Sequence, residues 1–268
     1  MAGRNWKDKS TTINIRITFL GTGTSQGVPI IGCDCEVCLS ADPRDKRLRP
    51  SVLVEAGGKH IVIDAGPDFR YQMLRAGVQK VDAILLTHEH NDHVIGLDDV
   101  RPFNFKYWRN MPVYGTARVL REVRQRFAYI FSADKYPGAP MIDLHEINKE
   151  KDFEVEGIRV TPIEVMHGKM PVLGFRFGDF TYITDAKTIS EEEKQKVKNS
   201  KVLVLNALHH SPHHAHLNLN QALEWVEELK PERAFFIHMS HHMGLHDAIN
   251  ARLPKGVALA HDGLVVEI

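Results

Sequence analysis

The amino-acid sequence predicts an α/β fold in which two mixed β-sheets pack face to face with helices on their outer faces. Three observations predict it. Short runs of β-branched and aromatic residues crowd both ends of the chain, and the longer segments between them repeat apolar residues at helical spacing. The order is strand-rich, helical, strand-rich and helical again, with no internal repeat and no low-complexity linker. A 43% hydrophobic content in 268 residues can fill a sizeable core, so one domain over 1–268 is expected.

In chain order, strands are expected over 13–20, 51–55, 60–64, 81–87, 158–165, 172–177, 181–184, 201–206 and 234–238, with a closing pair at 257–260 and 264–268. A helix is expected over 116–131, where Val119, Val123, Phe127 and Ile130 share one face. A second, over 218–229, opens on the pairing of Asn218 with Gln221 that reads as a capping box, and Ser190 followed by Glu193 repeats that signature. Residues 132–156 contain Pro137, Gly138 and Pro140 and read as a surface loop.

Lys plus Arg equals Asp plus Glu at 34 each, so no global field draws in nucleic acid or an anionic membrane. The opening residues 1–12 are polar, no long apolar run occurs, and a cytoplasmic protein is expected. Arg118, Arg121, Arg124 and Arg126 read as the solvated face of their helix. Arg44, Lys46, Arg47 and Arg49 can be read either as a phosphate grip or as loop solubility.

Chemistry concentrates in Thr87-His88-Glu89-His90-Asn91-Asp92-His93, directly after an apolar run that delivers it to a sheet edge. Asn91 or Asp92 is expected to cap the helix that starts there. Imidazoles with a carboxylate suit zinc, manganese or iron, and the spacing lets His88 and His90 point one way while Asp92 and His93 point another, so two neighbouring metals fit. A two-metal hydrolase needs further ligands from other loops. His167, Asp185 and His238 each stand where an expected strand runs out, and such residues converge on one edge of a sheet.

All three cysteines lie in Cys33-Asp34-Cys35-Glu36-Val37-Cys38 within the loop 32–38. None is left elsewhere for a disulfide, so a closed tetrahedral zinc site completed by a His is expected.

His88, His90, Asp92, His93, His167, Asp185 and His238 match in order the seven-ligand pattern of the metallo-β-lactamase superfamily, which the chain resembles over nearly its whole length. The resemblance implies an αββα four-layer sandwich and two divalent metal ions. His88, His90 and His167 would hold one ion and Asp92, His93 and His238 the other, with Asp185 between them. Asp64 resembles the carboxylate that supports the His loop. Gly21-Thr22-Gly23-Thr24-Ser25-Gln26-Gly27-Val28-Pro29 followed by the cysteine loop is similar to the PhnP family of cyclic phosphodiesterases. That likeness implies a small phosphodiester substrate of the phosphoribosyl 1,2-cyclic phosphate or 2′,3′-cyclic nucleotide type, opened with zinc or manganese. It also implies a structural zinc on Cys33, Cys35, Cys38 and His241, with His242 and His246 nearby, and it allows a homodimer through this region. His216 resembles the family's active-site His, although His209, His210, His213 and His214 stand beside it. Competing readings are a ribonuclease Z-like RNA endonuclease, a thioester or lactone hydrolase, and a non-hydrolytic PqqB-like protein of cofactor biogenesis. Zero net charge counts against a large RNA partner.

Overall fold

The computed structural model describes residues 14–268. The polar opening segment and the expected strand start at Ile13 lie outside the described residues. Two sheets form. The first is built from β1 (Ile15–Gly21), β2 (Ser51–Ala56), β3 (Lys59–Ile63), β4 (Ala83–Leu85), β5 (Met111–Gly115) and β6 (Ile142–Glu146), and is joined at its edge by the last strand of the chain. The second takes β7 (Phe153–Val155), β8 (Ile158–His167), β9 (Met170–Phe177), β10 (Phe180–Tyr182), β11 (Thr188–Ile189), β12 (Val202–Asn206), β13 (Arg233–Ile237) and β14 (Val257–Leu259). Strand β15 (Val265–Glu267) then crosses back to pair with β1.

Both sheets are mixed in the same way. The first runs β15-β1-β2-β3-β4-β5-β6, antiparallel up to β3 and parallel beyond it. The second runs β11-β8-β9-β10-β12-β13-β14, antiparallel up to β10 and parallel beyond it, with β7 paired to β8.

Strand periodicity sorts side chains into layers. Ile61 and Ile63 of β3 face the second sheet, where they meet a core containing Phe175, Tyr182, Val202 and Val204, while Val62 between them faces outward. That outer face is covered by α2 (Phe69–Arg75), reached after the one-turn α1 (Glu36–Leu39), and by α3 (Asn91–Val94), α4 (Arg101–Tyr107), α5 (Ala117–Arg126) and α6 (Ala128–Phe131). Leu203 and Leu205 of β12 face the other outer layer, formed by α7 (Glu191–Val197), α8 (Leu219–Leu229) and α9 (His246–Asn250). The result is four layers, helix, sheet, sheet, helix.

Local signals set several boundaries. Asn218 and Gln221 exchange side-chain and backbone hydrogen bonds as a full capping box on α8, and the Ser190 hydroxyl accepts from the Glu193 amide at the start of α7. The single helix expected over 116–131 is two, because Phe127 leaves helical geometry at φ −110°, ψ 39°, yet Val119, Val123, Phe127 and Ile130 still share one buried face. The loop expected over 132–156 holds β6 and β7. Exposed Asp143, His145 and Glu146 hide β6 as an ordinary polar edge strand. Strand β5 was unexpected because Pro112 weakens the reading of its run as a central strand. Helices α2 and α4 also lay outside the expected elements. Among the described residues no helix is long and apolar enough to cross a membrane.

Candidate metal centre

Five chain segments end at the same edge of the two facing sheets: the residue after β3, the loop from β4 into α3, the turn after β8, the residues after β10 and the residue after β13. Asp64, Asp185 and His238 follow strands there and adopt φ of 63°, 57° and 56°, a left-handed conformation that non-glycine residues rarely hold. The turn swings each side chain inward, leaving the three residues nearly or fully buried. Gly66 lets the His loop settle against it, since a Cβ there would lie 2.0 Å from the Asp92 carbonyl oxygen. Neither Asn91 nor Asp92 caps α3. The N-cap residue is His90, with no side-chain cap bond.

A hydrogen-bond relay orients the imidazoles. The Thr87 hydroxyl donates to Asp64 Oδ2 at 2.9 Å, and the His88 Nδ1 lies 2.9 Å from the same hydroxyl oxygen. His93 Nδ1 lies 2.7 Å from Asp64 Oδ2, and His167 Nδ1 lies 2.9 Å from the Ala215 carbonyl oxygen. Each of these Nδ1 atoms therefore serves as the donor, which leaves the Nε2 lone pairs of His88, His93 and His167 free to point into the site. His90 differs: its Nδ1 approaches His88 Nε2 at 3.1 Å.

These free atoms gather into overlapping groups. Potential ligand atoms of His88, His90 and His167 lie within 4.8 Å of one another, as do those of Asp92, His93 and His238. Asp185 belongs to both neighbourhoods, once with His88 and His93 and once with His167 and His216. His93 Nε2 lies 3.2 Å from Asp92 Oδ2 and 3.3 Å from Asp185 Oδ2, and His238 Nε2 lies 3.2 Å from Asp185 Oδ1. Two ligands at about 2.1 Å from one tetrahedral ion stand roughly 3.4 Å apart. Moreover, buried His93 Nε2, His238 Nε2 and His216 Nδ1 have no hydrogen-bond partner among the described residues. Orphaned imidazole nitrogens beside carboxylates at this spacing fit divalent ions.

The electrostatics agree with that donor set for His88 and the two carboxylates, while His93 without a cation favours its protonated form. Burial would raise Asp92 and Asp185, but His93 and His238 override it and hold both carboxyls below the usual carboxylate range. Burial holds His88 well below an ordinary imidazole, hence neutral. For His93, burial is outweighed by Asp92, Asp64 and Asp185, which raise it. His216 is pushed down to about 2 by burial and by the His238 ring.

The second cluster lies at the other end of a short link. Sγ of Cys33, Cys35 and Cys38 stand 3.3, 3.4 and 3.6 Å from His241 Nδ1. One ring nitrogen cannot hydrogen-bond three sulfurs at once, whereas thiolates and an imidazole around one zinc stand about 3.6 Å apart. Met239 joins the clusters: its amide donates to the Thr22 carbonyl and its carbonyl accepts from the Thr24 amide, both at 3.1 Å.

A Beta-lactamase superfamily domain model matches residues 59–239. A solved structure, a "New Diphosphatase from the PhnP Family", is 41% identical, with a TM-score of 0.89 over 95% of this chain and 97% of that one. The chain belongs to the PhnP family of the metallo-β-lactamase superfamily. An octanoyltransferase of Porphyromonas gingivalis is also 41% identical, over 93% of this chain and 51% of that protein. A ribonuclease Z of Bradyrhizobium diazoefficiens is 30% identical over 60% of this chain and 49% of its own length. This PhnP-family chain thus spans about half the length of those curated relatives.

Within this metallo-β-lactamase fold, the structure places the site residues expected from the sequence in the two clusters described, and adds some. Thr87 holds both Asp64 and His88, and a Thr between a strand and its first His was the only signal for it. Arg121 and Arg124 lie exposed as expected of a solvated helix face, whereas Arg118 and Arg126 also reach the His loop. The arginines of residues 44–49 and Lys46 all have protein partners. Arg44 pairs with Asp42 and Asp247, Lys46 donates to the Cys38 carbonyl, and Arg49 pairs with Asp68. Arg47 is buried, bonding Thr22, the Ala260 carbonyl and His246.

Proposed function

We propose that this PhnP-family protein hydrolyses small phosphodiesters, cyclic ones included, with two divalent ions held at the strand-end site. The carrying observation is the orphaned nitrogens of His93, His238 and His216 facing Asp92 and Asp185. His88, His90 and His167 would hold one ion, Asp92, His93 and His238 the other, with Asp185 shared, and zinc and manganese both suit the set. When bound, such a pair supplies Lewis acidity and lowers the pKa of water toward about 7. A third ion, zinc, would sit on Cys33, Cys35, Cys38 and His241.

The chain's own groups do the rest. Asp64 and Thr87 fix the tautomers, so no imidazole has to turn over during catalysis. His216 packs against both His167 and His238, with ring centroids 4.5 and 4.9 Å away. A neutral ring there donates a hydrogen bond to oxygen on phosphorus as negative charge develops and assists departure of the alkoxide. Zero net charge supports a small substrate over a long RNA. The diphosphatase activity named for the solved relative is also attack on a P–O bond.

A single substrate panel tests the reading. Metal-loaded protein should cleave bis(p-nitrophenyl) phosphate and 2′,3′-cyclic nucleotides faster than a phosphomonoester, an octanoyl thioester, a β-lactam or precursor tRNA. Fully metallated protein that is inert on every phosphodiester, or faster on the thioester, refutes it.

A further inference from the structure

Glu89 stands between His88 and His90, and its carboxylate turns toward α5. Arg118 Nη1 lies 3.2 Å from Glu89 Oε1, and Nη2 of the same guanidinium donates to the Pro171 carbonyl at 2.5 Å. Pro171 follows Met170, which pairs with His167 across the hairpin turn. One side chain therefore spans the two segments that carry His88, His90 and His167. Arg126, eight residues further along α5, donates to the Glu89 carbonyl and, at 2.9 Å, to Asn91 Oδ1, so it grips the loop on the far side of His90. The helix is anchored independently of these contacts. Val119, Leu120 and Val123 are buried, and the Thr116 hydroxyl caps its start by accepting from the Val119 amide.

We propose that Arg118, assisted by Arg126, is a positioning residue that fixes the spacing of the three-imidazole half of the site. The proposal rests on the reading that His88, His90 and His167 hold a divalent ion. His90 needs such help because it is exposed and, among the described residues, its ring lies at hydrogen-bond distance from His88 alone. The planar guanidinium suits the role, since separate nitrogens held at a fixed spacing serve acceptors on two segments, whereas an ammonium offers a single rotating donor centre.

Calorimetric titration of metal-free full-length protein with Mn²⁺, alongside thermal melts of the same samples, tests this. Arg118→Ala should bind one of the two ions about 10- to 100-fold more weakly, while its metal-free melting temperature stays near wild type. Arg118→Lys should recover only part of that loss. Glu89→Gln should weaken the same ion, and combining it with Arg118→Ala should add little, because the two act through one contact. Should Arg118→Ala fail to fold, Glu89→Gln still decides. His88→Ala separates the two readings. If it binds both ions as wild type does, the metal assignment and the brace both fall. If His88→Ala loses an ion while Arg118→Ala and Glu89→Gln keep wild-type affinity, only the brace is overturned.

Discussion

His216 and His88 lie in one cluster, but their surroundings assign them different work. His88 Nδ1 is spent on Thr87, leaving Nε2 to bind, whereas His216 faces the centre beside His167 and His238. His216→Ala should keep both ions and lose about 10²- to 10⁴-fold in kcat, whereas His88→Ala should lose metal and turnover together. Metal analysis beside steady-state kinetics reads both outcomes, and equal metal loss in the two variants would contradict the division. A different histidine, outside the metal site, contributes to acid sensitivity. Burial and the Arg47 guanidinium push His246 down to about 4, below the ordinary imidazole value of 6.5. Between those values the unfolded chain takes up a proton that the folded chain refuses, so stability is full above about pH 6.5 and falls as pH drops toward 4. The metal-free melting temperature should fall from pH 7 to pH 5, and less steeply in His246→Asn, whose amide oxygen can still accept from Arg47. Equal slopes would clear His246. At this scale the ligand candidates were readable because each sits at the end of an apolar run. Arg118 and Arg47 were not, since a sequence records that a side chain is charged and omits which segment it meets.

The loop from Cys33 to Cys38 and the single 3₁₀ turn at His241–Met243 have little hydrophobic support of their own, a small cluster of Val28, Val37 and Cys38 with Leu245 against it. An ion bound there would supply what that core lacks. Cys38→Ser should therefore lower the melting temperature of protein purified with zinc and remove one equivalent of zinc, leaving the other two ions in place. No shift in the melt, or loss of all three ions, would count against a separate structural site. Elements were legible in proportion to how local their signals are. The capping box of α8 and the apolar face shared by α5 and α6 needed only neighbouring residues. Strands β5 and β6 are recognisable mainly by what they pair with, and Pro112 and the exposed Asp143, His145 and Glu146 mask them.

On the scale of the whole molecule, the two sheets contribute unequal but complementary shares of one site. The first sheet and its outer helices supply Asp64, His88, His90, Asp92 and His93, and the second supplies His167, Asp185, His216 and His238. Ions bound between them would cross-link the halves and favour the folded state by mass action, by about 4 kcal/mol at a thousandfold excess over Kd. Stripping the protein with a chelator should lower its melting temperature by roughly 10 °C, with recovery on adding Mn²⁺ or Zn²⁺; an unchanged melt would show that the seam holds without them. A single domain was the expectation from the lack of any linker, while the convergence of distant segments had to be inferred from strand ends. That convergence also sets a timetable for biogenesis. The His loop leaves the ribosome long before its partners, at about 5–20 residues per second. The first triad is incomplete until His167 is made, and the second cluster and the cysteine cluster wait for His238 and His241. A nascent chain would thus carry unpartnered imidazoles and three thiols for on the order of ten seconds, and any discrimination among ions by the finished geometry would begin only once the last segments dock.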